Sequence, residues 1–276
     1  MWAYRDWIGS LYPRGARSGE LLRHYAAVFT TVEGNTTFYR VPEAETVLRW
    51  RSAVPASFRF CFKLPRTVTH ERLLAGADDE AAAFLRRMAP LGERLGPYVI
   101  QLPPAFGPER LDRLAAFAER LAVRPLAVEL RHPAFFASAE ATAAVDRRLA
   151  GLGCERVVMD TRALRAGDAD HLDVRAARHQ KPKLPTRPVA LGRHPVVRFI
   201  GHPEPAVNEP WLAEWAERVA GWLGAGKEPF VMIHTPNNVH APPLARRFHA
   251  LLGAHADVGT RPPWPGEGAG EQLSLL

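Results

Sequence analysis

The stretch Phe58-Arg-Phe-Cys-Phe-Lys-Leu-Pro-Arg66 decides the fold, together with the two segments that follow it. Its aromatic and apolar residues form the short run that is typical of a buried strand. An amphipathic segment at 78–91 follows, with Asp78 as a candidate N-cap, and a second apolar run, Tyr98-Val-Ile-Gln-Leu102, comes next. A strand, a helix and a second strand in this order predict a βα repeat with parallel strands.

The same alternation recurs along most of the chain. Strands are predicted at 31–35, 58–64, 98–102, 126–130, 156–160, 196–200 and 230–234, and helices near 18–29, 43–53, 78–91, 108–122, 138–152, 209–223 and 242–252. In a chain of 276 residues, this pattern predicts one α/β domain over 1–258, a TIM-type (β/α) barrel. Because such a barrel has eight strands and only seven are visible, the first strand is expected to be missing upstream of Met1.

Composition indicates a soluble globular protein. The hydrophobic fraction is 47% and the charged fraction is 24%, and no apolar run approaches the roughly 20 residues of a membrane span. The N-terminus lacks the pattern of a signal peptide, so we expect a cytoplasmic protein without a membrane partner. Cys61 and Cys154 lie in apolar-rich segments and are expected to be buried thiols.

Polar residues cluster where the predicted strands end, which is the active face of a (β/α) barrel. Charged residues in strands that are buried on both faces need either a partner or a function. The catalytic candidates are Glu33, Lys63, Glu129 and Asp160. The substrate-binding candidates are Asn35, Tyr39, Gln101, Arg131, Arg198, His234, Asn237 and Asn238.

These candidates predict a pocket for a polar, anionic substrate. Glu129 and Glu33 are candidates for proton transfer, and Lys63 could form a Schiff base if burial lowers its pKa. The alternative is structural, because charges of mixed sign can neutralise one another within a barrel mouth. Lys63, Arg131 and Arg198 would disfavour a dication in the same cavity, so no metal ligand is assigned, and the cofactor stays open.

A long connection at 163–195 exceeds the usual βα loop and predicts a lid. Its part from residue 175 to residue 193 carries six basic residues and no acidic one. Two interpretations stay open here. The segment could clamp a phosphodiester backbone, or it could be a solvated basic loop.

Several motifs resemble those of the YecE-like family, a domain of unknown function (domain 72). They are Trp2-Ala-Tyr-Arg-Asp-Trp7, the core Thr31-Val-Glu-Gly-Asn-Thr-Thr-Phe-Tyr-Arg40, the opening stretch 58–66, Gln101-Leu-Pro-Pro104, Val128-Glu-Leu-Arg-His-Pro133 and His234-Thr-Pro-Asn-Asn238. The resemblance covers nearly the whole chain and implies a TIM-barrel fold without a settled reaction. Family members usually open with a short strand and a Gly-rich turn, whereas this chain begins at the Trp-containing segment.

The C-terminal segment 259–276 is rich in Pro and Gly and predicts a flexible tail. It ends in Gln272-Leu-Ser-Leu-Leu276, which is similar to the peptides that dock bacterial repair proteins on the DNA sliding clamp. The candidate partner-binding residues are Gln272, Leu273, Leu275 and Leu276.

Three functions are therefore open. The first is a DNA-associated hydrolase or lyase that acts on damaged or modified nucleic acid and is tethered to the clamp. The second is a metabolic enzyme for a small anionic sugar or acid. The third is a noncatalytic adaptor that binds nucleic acid or the clamp.

Overall fold

The chain forms an α/β fold with two parallel sheets. Our computed structural model describes residues 2–123, 125–260 and 262–267. The strands are β1 Thr31–Gly34, β2 Arg59–Lys63, β3 Leu95–Gln101, β4 Leu126–Glu129, β5 Cys154–Arg156, β6 Val158–Asp160, β7 Val196–Ile200 and β8 Phe230–His234. The first sheet has the order β1-β2-β3-β4-β5, and the second has the order β6-β7-β8. Every strand pair is parallel, as the βα repeat predicts.

The two sheets meet at Val157, which lies between β5 and β6. β6 lies within the single strand predicted at 156–160, whereas β5 shares only Arg156 with it. The amide of Val157 donates a hydrogen bond to the carbonyl of Val128 at 2.9 Å, so the first sheet continues through this residue. Within the described residues, no ladder joins β1 to β8, so the sheets do not close. The eight strands arise from seven predicted ones, and the strand expected upstream of Met1 is not among them.

Helices alternate with the strands and cover the outer faces of the sheets. They are α1 Leu21–Ala26, α2 Thr36–Tyr39, α3 Ala44–Ala53, α4 Asp78–Met88, α5 Leu111–Leu121, α6 Ala139–Gly151, α7 Arg162–Ala166, α8 Leu172–Gln180, α9 Pro205–Gly224 and α10 Ala241–Leu252. Short 3-10 turns lie at Arg5–Trp7, Ala89–Arg94, Pro108–Arg110, Pro133–Phe136 and Asn238–His240, and a π-helical turn lies at Thr67–Glu71. α9 begins at Pro205 rather than near residue 209, because proline suits the first position of a helix. Among the described residues, no helix is long and apolar enough to cross a bilayer.

Side chains alternate between the two faces of each strand, so the strands contribute to two different hydrophobic cores. Outward residues of the strands pack under the helices; for example, the rings of Trp50 and Phe62 stack at 5.7 Å between centroids. Inward residues form a small apolar cluster, which we call the inner apolar layer. Its members are Cys61, Val99, Ala127, Val157, Val196, Phe230 and Met232, which come from both sheets and from the junction between them.

The described part of the C-terminal segment is packed on the domain. Trp264 is 9% exposed and joins a core cluster with Trp7, Leu11 and Tyr12. The guanidinium carbon of Arg246 lies 4.0 Å from the centroid of the Trp264 ring. The Pro/Gly composition predicted a flexible tail from residue 259, but residues 262–267 are held here because one large aromatic side chain finds an apolar site.

We expect Trp264→Ala to lower the free energy of unfolding by about 3 kcal/mol, since it removes a buried aromatic side chain and its contact with Arg246. Urea unfolding followed by circular dichroism measures this loss. The matched control is Leu48→Ala on α3, because Leu48 is 50% exposed and its truncation should change stability by less than about 0.5 kcal/mol. Equal effects of the two substitutions would contradict an anchored segment.

Candidate functional site

A layer of polar residues lies next to the inner apolar layer. Side chains two residues apart on a strand point to the same face. Five polar side chains each lie two residues after a member of the inner apolar layer: Lys63, Gln101, Glu129, Arg198 and His234. A sixth, Glu33, contacts three of these five. We call Glu33, Lys63, Gln101, Glu129, Arg198 and His234 the polar layer. The structure therefore brings together six of the residues that the sequence proposed for the site.

Arg198 is the centre of the polar layer. Its Nε lies 2.7 Å from Oε1 of Glu33, and its Nη1 donates to Oε2 of Glu129 at 2.8 Å. A further hydrogen bond runs from Nη2 of Arg198 to Oε2 of Glu33 at 3.2 Å. All three side chains are at most 3% exposed. One guanidinium on β7 thus bridges two buried carboxylates on β1 and β4.

Further cations and an amide surround the same carboxylates. Arg131 donates from Nε to Oε1 of Glu129 at 2.6 Å. On Glu33, Nζ of Lys63 lies 3.6 Å from Oε1, and Nε2 of His234 lies 3.1 Å from Oε2. The amide of Asn35 also donates to Oε2 of Glu33, at 3.0 Å. Each carboxylate therefore meets more than one positive or donor group.

This surplus of positive charge keeps both carboxylates ionised. Burial alone would raise the pKa of Glu129, but Arg198, Arg131 and Lys63 together lower it to about 2. The pKa of Glu33 lies well below its ordinary value for the same reason, since Arg198, Lys63 and His234 outweigh its burial. A carboxylate that is ionised at all physiological pH values is a poor proton donor. The geometry favours an electrostatic role for Glu33 and Glu129.

The same surroundings destabilise the charged forms of Lys63 and His234. Burial lowers the pKa of Lys63 to about 8, and the neighbouring Arg198 adds to the shift despite the opposing charge of Glu33. Burial likewise lowers the pKa of His234 to about 4, although Glu33 opposes this shift. Lys63 is the polar-layer group whose pKa lies nearest neutral pH, where an amine can act as a base or a nucleophile.

The polar layer opens into a cavity of about 910 Å³. One part of the cavity is polar, and it is lined by Glu33, Asn35, Lys63, Gln101, Arg131, Arg198 and His234. The cavity continues between β1 and β8, where the lining becomes apolar and includes Phe29, Phe58, Leu223 and Phe248. The cavity as a whole is large enough for a small organic ligand, and its polar part offers several polar groups to it.

Tyr39 lies at the rim of the cavity and is 77% exposed. Its ring contacts that of Phe38 edge to face, with centroids 5.1 Å apart, and Phe38 contacts the imidazole of His70 in the same way at 4.9 Å. Burial, with Arg131 and Arg66 nearby, lowers the pKa of His70 to about 4, so this ring is neutral at physiological pH. The rim thus offers aromatic surface beside a positively charged interior.

Asn237 and Asn238 fasten the loop after β8. The hydroxyl of Tyr4 donates to Oδ1 of Asn237 at 3.0 Å, and this oxygen also accepts from the amide of Val239. The carbonyl of Asn238 accepts from Nε1 of Trp7 at 2.9 Å. Asn238 lines the cavity, whereas the side-chain oxygen of Asn237 is already occupied by the loop.

Asp160 does not belong to the polar layer, contrary to its assignment as a catalytic candidate. It lies on the outer face of β6 and is 0% exposed. Its carboxylate accepts from Nε1 of Trp215 at 2.8 Å, from Arg162 at 2.8 Å and from Thr186 at 3.1 Å. The period of two along β6 turns Met159 inward and Asp160 outward, so Asp160 fixes helix α9 and the long connection.

The long connection at 163–195 is partly helical. It contains α8, and it then runs without regular structure to β7. Gln180 and Lys181 line the cavity where α8 ends. Arg165 and Arg178 donate to backbone carbonyls within the connection, so these two cations stabilise the segment itself. Only part of the predicted basic surface is therefore available to a ligand.

Comparisons with known proteins agree on one family. A family model described as "Protein of unknown function DUF72" matches residues 1–267. The chain is also 37% identical over 257 residues to the UPF0759 protein YecE of Escherichia coli strain K12, covering 92% of this chain and 94% of that protein. The chain belongs to the DUF72 family.

Two solved structures of DUF72 family proteins share the fold. The protein from Enterococcus faecalis V583 matches with a TM-score of 0.71 at 19% identity, over 95% of this chain and 96% of that one. The protein from Thermotoga maritima MSB8 matches with a TM-score of 0.69 at 24% identity, over 92% and 96%. The resemblance inferred from the sequence motifs is thus confirmed.

In this DUF72 protein, no three His, Cys, Asp or Glu side chains converge as a metal-binding group within the described residues. Cys61 lies in the inner apolar layer, and burial raises the pKa of its thiol to about 12. Cys154 is also buried. Neither thiol is an activated nucleophile, because such a group needs a lowered pKa and access.

Two residues at or beside the site were not among the catalytic or substrate-binding candidates. Lys181 was grouped with the basic connection, yet it lines the cavity, and burial together with Arg198 and Arg131 lowers its pKa. Thr37 is fully buried, and its hydroxyl lies 3.0 and 2.8 Å from the carbonyl oxygens of Gly34 and Lys63, which share its single proton. The Thr-Thr pair after β1 was the available signal, since a threonine at a strand end can hold a neighbouring strand in place.

We expect the stability of this DUF72 protein to fall as the pH drops from 7 to 5. The pKa of His234 in the folded state is about 4, below its ordinary 6.5, so in this range protons bind the unfolded chain preferentially. His234 alone should cost roughly 2 kcal/mol over this interval. Urea unfolding at several pH values measures the slope, and His234→Gln should flatten it. The matched control, His255→Gln at an exposed position, should leave it unchanged.

Proposed function

We propose that this protein is an enzyme that uses the amine of Lys63 on a carbonyl substrate with an anionic group. The observation that carries this proposal is the position of Lys63: its side chain is 8% exposed, it lines the cavity, and its pKa is lowered to about 8. A neutral lysine in such a site can attack a carbonyl carbon, form a C–N bond and release water to give an imine. The substrate class is the small anionic sugar or acid predicted from the sequence.

The surroundings of Lys63 support an anionic substrate. Arg131 and Lys181 line the same cavity, and the two carboxylates are held by Arg198. Arginine forks and lysine amines suit phosphate and carboxylate groups. Glu33 lies 3.6 Å from the Lys63 amine and would stabilise the positive charge of a protonated imine.

The proposal extends to the fold around the site. We infer that the two sheets are parts of one TIM-type barrel wall. The inner apolar layer draws on both sheets, and the contact between Glu33 of β1 and His234 of β8 spans the remaining gap. Under this reading the polar layer lies at the C-terminal ends of the strands, the position of the active site in such barrels.

Trapping with borohydride tests the amine chemistry. We expect D-ribose 5-phosphate and sodium borohydride to leave one reduced adduct on Lys63, because the hydride converts the imine to a stable secondary amine. The chain contains four lysines, Lys63, Lys181, Lys183 and Lys227, so peptide mass spectrometry locates the adduct. Its rate of formation should rise as the pH passes 8, where the amine loses its proton.

The controls of this experiment are two lysine variants. Lys63→Ala should reduce the adduct to the level seen without substrate, whereas Lys183→Ala, at an exposed position, should retain it. An adduct spread evenly over the four lysines would refute the proposal. A second arm uses duplex DNA with an abasic site, whose aldehyde is the corresponding substrate of a DNA lyase. A Lys63-dependent adduct in that arm would instead favour the DNA-associated function.

The clamp contact of the DNA-associated enzyme and of the noncatalytic adaptor depends on the C-terminal peptide. Its candidate residues Gln272, Leu273, Leu275 and Leu276 lie outside the described residues. Both functions stay predictions. If the peptide binds the sliding clamp, immobilised clamp should retain the full chain and not a chain that lacks residues 272–276. The double variant Leu273→Ala and Leu275→Ala serves as a second test without a change in length. Equal retention of all three proteins would rule out this partner.

A further inference from the structure

Two residues that line the cavity each hold a buried acceptor oxygen without a donor among the described residues. Gln101 is 6% exposed and lines the cavity, and its Oε1 has no hydrogen-bond partner among the described residues. The same holds for Oδ1 of Asn35, whose amide nitrogen is bound to Glu33 at 3.0 Å. A buried acceptor without a donor costs free energy, so native structures almost always supply one. The donors expected here are groups of a bound ligand.

The charged side chains of the same cavity indicate which chemical group the rest of that ligand carries. The basic side chains in its polar part are Lys63, Arg131, Lys181 and Arg198, and the carboxylates beside them are Glu33, which lines the cavity, and Glu129, which is paired with Arg131 and Arg198. A fifth basic residue of the lining, Arg246, is paired with Glu267. Four positive groups against two negative ones favour a ligand with an anionic group. Arg198 is ion-paired with both carboxylates, which leaves Arg131, Lys63 and Lys181 as the cations of the polar part that a ligand can reach.

We propose that the substrate is a hydroxylated organic anion, whose hydroxyl groups donate to Gln101 and Asn35 while its phosphate or carboxylate binds beside Arg131 and Lys181. Gln101 is then a positioning residue that selects substrates by their hydroxyl groups. A ligand that lacks these hydroxyls would bury the acceptor oxygens without donors, which is a strong basis for selectivity. The inference rests on the proposed function for the location of the ligand.

Calorimetric titration of the full chain with matched pairs of ligands tests this inference. The phosphate pair is D-ribitol 5-phosphate and n-pentyl phosphate, and the carboxylate pair is D-gluconate and hexanoate. Each pair has the same number of carbons and differs in its hydroxyl groups. We expect the hydroxylated member to bind at least about tenfold more tightly, the discrimination expected from one or two buried hydrogen bonds. The pair with the tighter binding identifies phosphate or carboxylate as the anion.

Gln101→Met tests the residue itself, because methionine has a similar length and no acceptor oxygen. This variant should lower the preference for the hydroxylated ligand about tenfold and leave the affinity for the alkyl anion unchanged. Arg131→Met should instead weaken both members of a pair. Asn35→Ala, at a less buried position, tests the second acceptor if Gln101→Met fails to fold, which thermal unfolding would reveal.

Two results would overturn the inference. One is equal affinity of the native chain for the two members of both pairs, and the other is an unchanged preference in Gln101→Met and Asn35→Ala. These ligands carry no aldehyde or ketone, so the titrations do not depend on imine formation. A hydroxyl preference without a trapped adduct would refute the amine chemistry alone. A trapped adduct without a hydroxyl preference would refute the substrate class alone.

Discussion

The ion pairs of Arg198 with Glu33 and Glu129 are the interaction on which the site depends. The three residues lie on β7, β1 and β4, so they join the second sheet to two strands of the first. Removal of one member of a buried ion pair leaves an uncompensated charge, which typically costs about 3–5 kcal/mol. These contacts therefore hold the strand ends in one arrangement. A slip of any of the three strands by one residue would turn its charge outward.

The same interaction determines the chemistry available to its neighbours. Glu33, 3.6 Å from the Lys63 amine, and Glu129 attract the charge of Lys63, but burial and the neighbouring Arg198 outweigh this attraction and lower its pKa. Its amine therefore loses a proton more readily than a surface lysine does. His234 is subject to the same balance and stays neutral. A group that can change its protonation near neutral pH is thus a consequence of how the carboxylates are shared.

Much of the fold could be predicted from the sequence, because the spacing of apolar residues and the positions of proline and capping residues are local properties of the chain. The seven strands and the helices between them lie close to their predicted positions, and five of the six polar-layer residues lie in a strand with a member of the inner apolar layer two residues before them. Asp160 was misassigned because a strand end alone does not show which face a side chain takes. The contacts of Lys181 and Trp264 were also beyond prediction, since both depend on how distant segments pack.

The outer-face and inner-face charges differ in how completely they are satisfied. On the outer face, Asp160 accepts from three side chains, and Arg156 pairs with Asp146 at 2.5 Å and with the carbonyl of Arg187. These groups gain nothing further from a ligand, because their hydrogen bonds are already made within the chain. In the polar layer, by contrast, Gln101 keeps an acceptor without a donor. An unsatisfied acceptor of this kind can gain a hydrogen bond from a ligand, whereas Asp160 and Arg156 already make theirs within the chain and maintain the fold.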